Sequence, residues 1–272
     1  MIKKYYAIFF LCVVFSFLAC SRKYKVVSIS MEKSYNLGQV IRVKKKFGKA
    51  KRNDIVTFKN PSLSNQLDLS RVLGLPGETL ELNNGHLYIN GHYVKDPKKL
   101  QLAYLVTTDG TLLDKKELDK IGIIRRKKLA VDKYEMFLTL DEIGELQQVD
   151  NVTNIEQILN SDLKHYDDIF PHNKTYNWNR DNFGPIKIPK KGEKITITFN
   201  NVFLYLRILN EFEKSNDFYA QQFIDDVFLK KDYVFKYDYF MVMSDNRAIA
   251  MDSRHWGFIP KHYILGKVKT TF

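Results

Sequence analysis

Cysteine is nearly missing from this chain. Of its 272 residues only Cys12 and Cys20 are cysteines, and both lie within the first twenty positions. From Ser21 onward there is no thiol for a disulfide or for a cysteine metal site, which suits an exported body that avoids random oxidation. An HExxH pair and a Gly-rich phosphate loop are absent too, which excludes zinc-hydrolase and nucleotide chemistry, so neither cofactor nor metal is expected. Acidic residues are in the minority, 31 against 43 Lys and Arg, for a net charge of +12. The basic residues are spread along the chain and form no aromatic-basic RNA-binding motif, so nucleic acid is not the expected partner. An anionic membrane surface is the better use of that charge. Internal repeats and low-complexity tracts are absent as well.

What is present begins at the N-terminus. Lys3 and Lys4 precede an almost unbroken apolar run over 5–20, a positive segment followed by a hydrophobic one. The run is short beside the roughly 20 apolar residues of a spanning helix. Two readings stay open: an uncleaved membrane anchor over 1–20, or a lipoprotein signal. In the second, Phe17-Leu18-Ala19-Cys20-Ser21 resembles a lipobox and Cys20 is the lipidated residue. Either places the body just outside the inner face of a membrane, facing the periplasm or exterior.

Residues 24–96 consist of short apolar or β-branched runs separated by turn residues, which predicts strands at 26–27, 40–43, 54–58, 69–73 and 87–89. Gly74-Leu75-Pro76-Gly77 predicts a tight turn, and Asn83-Asn84-Gly85 a hairpin. Many short strands imply a mainly β fold, a coiled antiparallel sheet or barrel. The middle differs. Apolar residues at helical spacing predict short helices at 138–146 and 155–159, and 202–212 also predicts a helix. Residues 195–199 predict a strand, 178–189 a loop and 218–237 a mixed stretch, with Trp178 and Phe183 expected in the core. The expected organisation is an N-terminal segment (1–20), a β core from 21–99 and 236–272, and an inserted α+β region (100–235).

Near the end, Ser244-Asp245-Asn246-Arg247 and Asp252-Ser253-Arg254-His255-Trp256-Gly257 crowd polar groups between two apolar runs. Charges beside core strands need partners, because a buried unpaired charge is costly. Three earlier segments belong with this one: Ser28-Ile29-Ser30-Met31, Lys51-Arg52-Asn53-Asp54-Ile55-Val56-Thr57-Phe58, and Arg71-Val72-Leu73-Gly74-Leu75-Pro76-Gly77-Glu78. In this order the four boxes resemble those of the bacterial type I signal peptidases, a serine peptidase family with a Ser/Lys dyad. The resemblance implies a coiled β protease core with an inserted second region, and signal peptides of exported preproteins as partners.

By position, the resemblance makes Ser30 the nucleophile, Ser28 a helper of the oxyanion and Met31 part of the substrate groove. Asp245, Arg247, Asp252 and Arg254 match the salt-bridged scaffold beneath the site. The family's general-base lysine falls at Ser70, its orienting serine at Ala250, and its usual Gly and a later Asp at Ser244 and Ala248. Proton acceptor and orienting group are therefore both replaced. Lys33, Asp252, His86 and His255 are the remaining groups to consider as a substitute base, with Asp252 expected to pair with Arg254. Three functions stay open: a membrane-associated endopeptidase that removes signal peptides, a catalytically degenerate homologue that binds signal peptides or partners an active signal peptidase, or a surface lipoprotein that uses the inserted region for an unrelated interaction.

Overall fold

The computed structural model describes residues 21–44, 48–64, 66–160, 166–215 and 230–268. The expectations for the anchor, for Cys20 and for most of 218–237 lie outside these residues. Among the described residues no helix is long and apolar enough to cross a membrane.

Along the chain come β1 (Ser21–Lys25), β2 (Val40–Lys44), β3 (Ile55–Lys59), β4 (Leu67–Gly74), β5 (Thr79–Asn83), β6 (His86–Ile89) and β7 (His92–Tyr93). Then follow β8 (Leu102–Thr108), helix α1 (Lys115–Ile121), β9 (Arg126–Lys128), β10 (Lys133–Leu138), α2 (Leu140–Leu146), β11 (Val152–Gln157), β12 (Phe183–Lys187), β13 (Lys194–Ile197) and α3 (Val202–Glu211). The chain closes with β14 (Lys231–Val234), β15 (Tyr239–Met243), the single-turn α4 (Ser253–Trp256), β16 (Ile259–Pro260) and β17 (Ile264–Val268).

The fold is mainly β, as the turn-punctuated sequence predicts. Its centre is an antiparallel seven-stranded sheet in the order β1-β2-β17-β3-β4-β15-β16, so the two ends of the chain interleave in one sheet. A second sheet, β11-β8-β10-β9, comes wholly from the middle of the chain, and a third, β12-β5-β6-β7, joins a strand of the middle to the hairpin before it. The β5–β6 turn is Asn84-Gly85, both at positive φ (50° and 83°), the two-residue hairpin turn that Asn-Gly favours.

Two sequence expectations fail. Residues 155–159 are not helical: Val152–Gln157 is strand β11, paired with β8. Ile155 and Gln157 share one side of the strand, and a five-residue apolar pattern cannot distinguish a period of 2 from one of 3.6. The stretch 178–189 is not all loop either, because Phe183–Lys187 pairs with β5. Strand β1 also lies at 21–25 rather than at 26–27. The helix near 138 begins later than expected, at Leu140, because the Thr139 hydroxyl caps it and Glu142 reaches back to the Thr139 amide at 2.8 Å.

The largest apolar cluster unites both parts of the chain: Leu73, Leu80, Tyr239 and Met241 pack with Phe183, Ile188, Val202 and Ile208. Phe183 is buried in the core as expected, and the partly buried Trp178 packs against it with ring centroids 4.7 Å apart and the rings tilted. A second cluster, Val56, Phe58, Val72, Phe240, Val242, Trp256 and Ile259, fills one face of the central sheet. Successive side chains of a strand alternate faces. Asp68, Ser70 and Val72 of β4 therefore share the face that carries this cluster, with Phe58 opposite Asp68 and Val56 opposite Ser70.

Candidate functional site

Ser28 and Ser30 follow β1 in a partly buried turn, with their hydroxyl oxygens 2.7 Å apart. The Ser30 amide points at the Ser28 Oγ from 3.4 Å, and the Ser30 carbonyl accepts the Asn246 amide at 2.9 Å. The turn is thus tied to the polar loop at the far end of the chain. Both serines line a cavity of about 520 Å³ whose other walls include Leu63, Asp68, Ala250, Met251 and Trp256.

Met31, expected on the groove wall, is instead fully buried. Its side chain joins Val26, Ile41, Val43, Leu69 and Val268 in a satellite core, and its sulfur accepts the Asp245 amide at 3.3 Å. The turn that leaves Ser30 at the cavity sends the next, apolar side chain inward.

The scaffold residues come together beneath this cavity. Asp252 is completely buried and meets Arg254 twice at 2.9 Å, through Nε and Nη2. Burial by itself would raise the Asp252 pKa, but Arg254 more than offsets it, so the carboxyl is held below its ordinary value. Arg254 also donates to the carbonyls of Arg180 and Arg247, each at 3.0 Å. Arg247 donates from Nε to the Ser244 carbonyl at 2.8 Å, and burial, together with nearby Arg254, lowers its pKa to about 10. Asp245 does not pair with Arg247. Its partner is Arg71, which reaches both carboxylate oxygens at 2.7 and 2.6 Å, while the Ser34 hydroxyl donates to one of them. Arg71 belongs to a sequence box but had not been singled out; its place directly after Ser70, on the opposite face of β4, was the available signal.

The position that the resemblance assigns to the general base is sealed. Ser70 has no exposed surface, and its hydroxyl lies 3.1 Å from that of Ser244, which is also buried. The two residues to which the resemblance assigns the Lys and Gly positions thus lie against each other. Ala250 is buried and presents only a methyl group.

None of the four candidate substitutes meets Ser30 among the described residues, and Asp252 is taken up by Arg254. Lys33 turns away at positive φ, and its ammonium contacts Glu142 at 2.6 Å and the Gly122 carbonyl. His86 pairs with Asp96 at 2.6 Å. His255 is buried, its Nδ1 accepting the Asp252 amide at 3.1 Å and its Nε2 lying 3.9 Å from Asp168. Among the described residues, only the Ser28 side chain hydrogen-bonds the Ser30 hydroxyl.

Asp68 was not singled out from the sequence. Its carboxylate accepts Asn60 Nδ2 and the Leu69 amide, each at 2.8 Å, and burial raises its pKa. The signal was its spacing: two residues before Ser70 in a strand, it faces the same side.

The family model described as signal peptidase, peptidase S26, matches residues 1–143 and 186–272. Signal peptidase I V of Bacillus subtilis is 36% identical over 99 residues, 34% of this chain and 58% of that protein. Signal peptidase I of Buchnera aphidicola subsp. Schizaphis graminum is 27% identical over 217 residues, 79% of this chain and 51% of the relative. The chain spans about half the length of these curated relatives. A solved signal peptidase I from Enterococcus faecalis covers 82% of this chain and 100% of its own at 16% identity, with a TM-score of 0.32, too low to carry an argument. The family model covers both strand-rich flanks and leaves out only 144–185, and on that match the chain belongs to the signal peptidase family, peptidase S26.

Proposed function

We propose that this protein is a membrane-associated serine endopeptidase of signal-peptidase I type, acting on the signal peptides of exported preproteins with Ser30 as nucleophile. The observation that carries the reading is the Ser28–Ser30 pair at the mouth of a partly apolar cavity, held by the Asn246 amide above a buried ion-paired scaffold. A substrate carbonyl entering there would meet the Ser30 amide and the Ser28 hydroxyl as oxyanion donors, replacing the contact they now make with each other. The extended peptide would place small residues in the shallow cavity. The N-terminal segment, as anchor or through a lipid on Cys20, would hold the body against the outer side of the membrane.

One observation favours a second reading. Ser70 and Ser244 close over the base position, and no amine, imidazole or carboxylate reaches Ser30 among the described residues. General-base help is commonly worth about 10²–10⁴-fold. Without it the groove would bind signal peptides, or support an active signal peptidase, and turn over slowly. The test is cleavage of a peptide carrying an Ala-x-Ala site by the full chain in detergent, beside Ser30→Ala. Cleavage that disappears with Ser30→Ala establishes the peptidase. Equal traces from the two proteins, with the peptide still bound, establish the degenerate binder.

A further inference from the structure

The cavity beside Ser30 contains a carboxylate that no cation answers among the described residues. Among the described residues Asp68 is its only acidic lining residue, and the other lining residues are apolar or neutral: Ile29, Leu63 and Met251 among the first, Asn60 and Ser62 among the second. The carboxylate is held in place by two neutral donors, the Asn60 amide and the Leu69 backbone N–H. Among the described residues it makes no ion pair, although Lys and Arg outnumber Asp and Glu by 43 to 31 and several other carboxylates are paired, Asp54 by Lys267, Glu78 by Arg52 and Asp245 by Arg71. Asn60 is itself buried and is fixed from its other side by the Ser62 amide at 2.9 Å, so the carboxylate sits in a built cradle rather than on a loose surface loop. A partly buried carboxylate with spare lone pairs, hydrogen-bonded only by neutral donors, gains most from a cation that arrives with a ligand.

We infer that Asp68 is a specificity-determining residue of this groove and selects peptides that carry a lysine or arginine close to the bond presented to Ser30. The inference rests on the peptide-groove reading above. Asp68 and Ser30 open onto the same cavity, and β4 and the Ser28–Ser30 turn fix its two walls. The cationic side chain lays its methylenes along the Leu63 and Met251 walls and places its charge at Asp68, as long basic side chains do on mixed surfaces. Burial now raises the Asp68 pKa, and an incoming ammonium or guanidinium opposes that shift. The selectivity is consequently greatest at neutral pH and fades as Asp68 takes up a proton.

The experiment is direct binding by full-length Ser30→Ala protein in detergent, using fluorescent Ala-x-Ala peptides. Lys, Met or Glu is placed in turn at each position from four residues before the scissile bond to two after it. At one of these positions the Lys peptide should bind about tenfold more tightly than its Met counterpart, and the Glu peptide more weakly than either. Asp68→Asn should erase the preference for Lys over Met, and Asp68→Glu should retain most of it. Equal binding of Lys and Met peptides at every position, or a Lys preference that survives Asp68→Asn, overturns the assignment while leaving the groove in place. If no peptide binds, Met peptides included, the peptide-groove reading falls and takes this inference with it.

Discussion

At Ser70 a serine stands where the family resemblance places a lysine, and the side chains around it show what that exchange entailed. A lysine side chain cannot simply be put back. Ser70 is fully buried and Ser244 Oγ occupies the space beyond it at 3.1 Å. Overpacking a filled core costs roughly 1–3 kcal/mol, and a buried ammonium adds its own desolvation. Ser70→Lys alone should therefore lower the melting temperature without creating activity. Adding Ser244→Gly removes the obstructing hydroxyl, and Ala250→Ser supplies a hydrogen-bond partner for the amine. The triple variant should recover most of the lost stability and, if the Ser28–Ser30 turn is competent, cleave an Ala-x-Ala peptide at least 10²-fold faster than the parent. Melting curves and peptide cleavage on the three proteins check this; a triple variant as unstable as the single one would show that more than the Ser244 hydroxyl blocks the site.

At the scale of elements, short helices and turns position the site through their caps. Helix α4 has only four residues and cannot persist alone. Asp252 caps its start, accepting the Arg254 amide at 3.1 Å, and His255 returns the favour by accepting the Asp252 amide. Gly257 ends it at φ 77°, with the Phe170 ring 2.5 Å from where a Cβ would stand, so a side chain there is excluded twice over. The cap makes this corner acid-sensitive. Burial lowers the His255 pKa, so as pH falls below the ordinary histidine value of about 6.5 the unfolded chain takes up a proton that the folded chain resists. Stability is lost over that window. His262 is shifted in the same direction by burial and adds to the slope. Asp252, held below the ordinary carboxylate value, contributes stability that is present above that value and is lost at still lower pH. His255→Gln keeps a capping acceptor without the titration. Urea melts between pH 5 and 7 should show a shallower pH slope for this variant than for the parent; an unchanged slope would remove His255 from the account.

The same scale explains which elements could be read in advance. The Asn84-Gly85 hairpin and the 40–43, 54–58 and 69–73 strands were legible because turn chemistry and β-branched runs act locally. Residues 155–159 were not, because β8 decides the conformation of Val152–Gln157 by hydrogen-bonding it, and that partner lies some fifty residues earlier in the chain. Lys33 is a similar case: its distance from Ser30 in sequence is three, yet its ammonium belongs to Glu142 on α2.

For the whole molecule, the middle of the chain is not a passenger on the β core. Strand β12 completes the sheet that β5 begins, Gln101 brackets the scaffold loop by donating to the Asp245 carbonyl and accepting the Arg247 amide, and the largest apolar cluster draws on both parts. A chain with 100–235 replaced by a short Gly-Ser linker would expose Leu80, Tyr239 and Met241 to water. It should show no cooperative thermal transition and should bind a hydrophobic dye; a sharp melt would mean that the strands of the two flanks suffice on their own.

Local chemistry alone determined the β class of this protein, the turns of its N-terminal half, the family boxes and the identity of the residues that depart from them, since each depends on a few neighbouring side chains. Tertiary structure decided the rest: that Asp245 answers Arg71 rather than Arg247, that Met31 leaves the groove, that Ser70 and Ser244 lie against each other in the core, and that Asp68 opens onto the cavity of Ser30 with no ion pair among the described residues. Those outcomes depend on which charges and hydroxyls meet across strands that lie up to two hundred residues apart, and on how much water is left between them, which no local pattern contains.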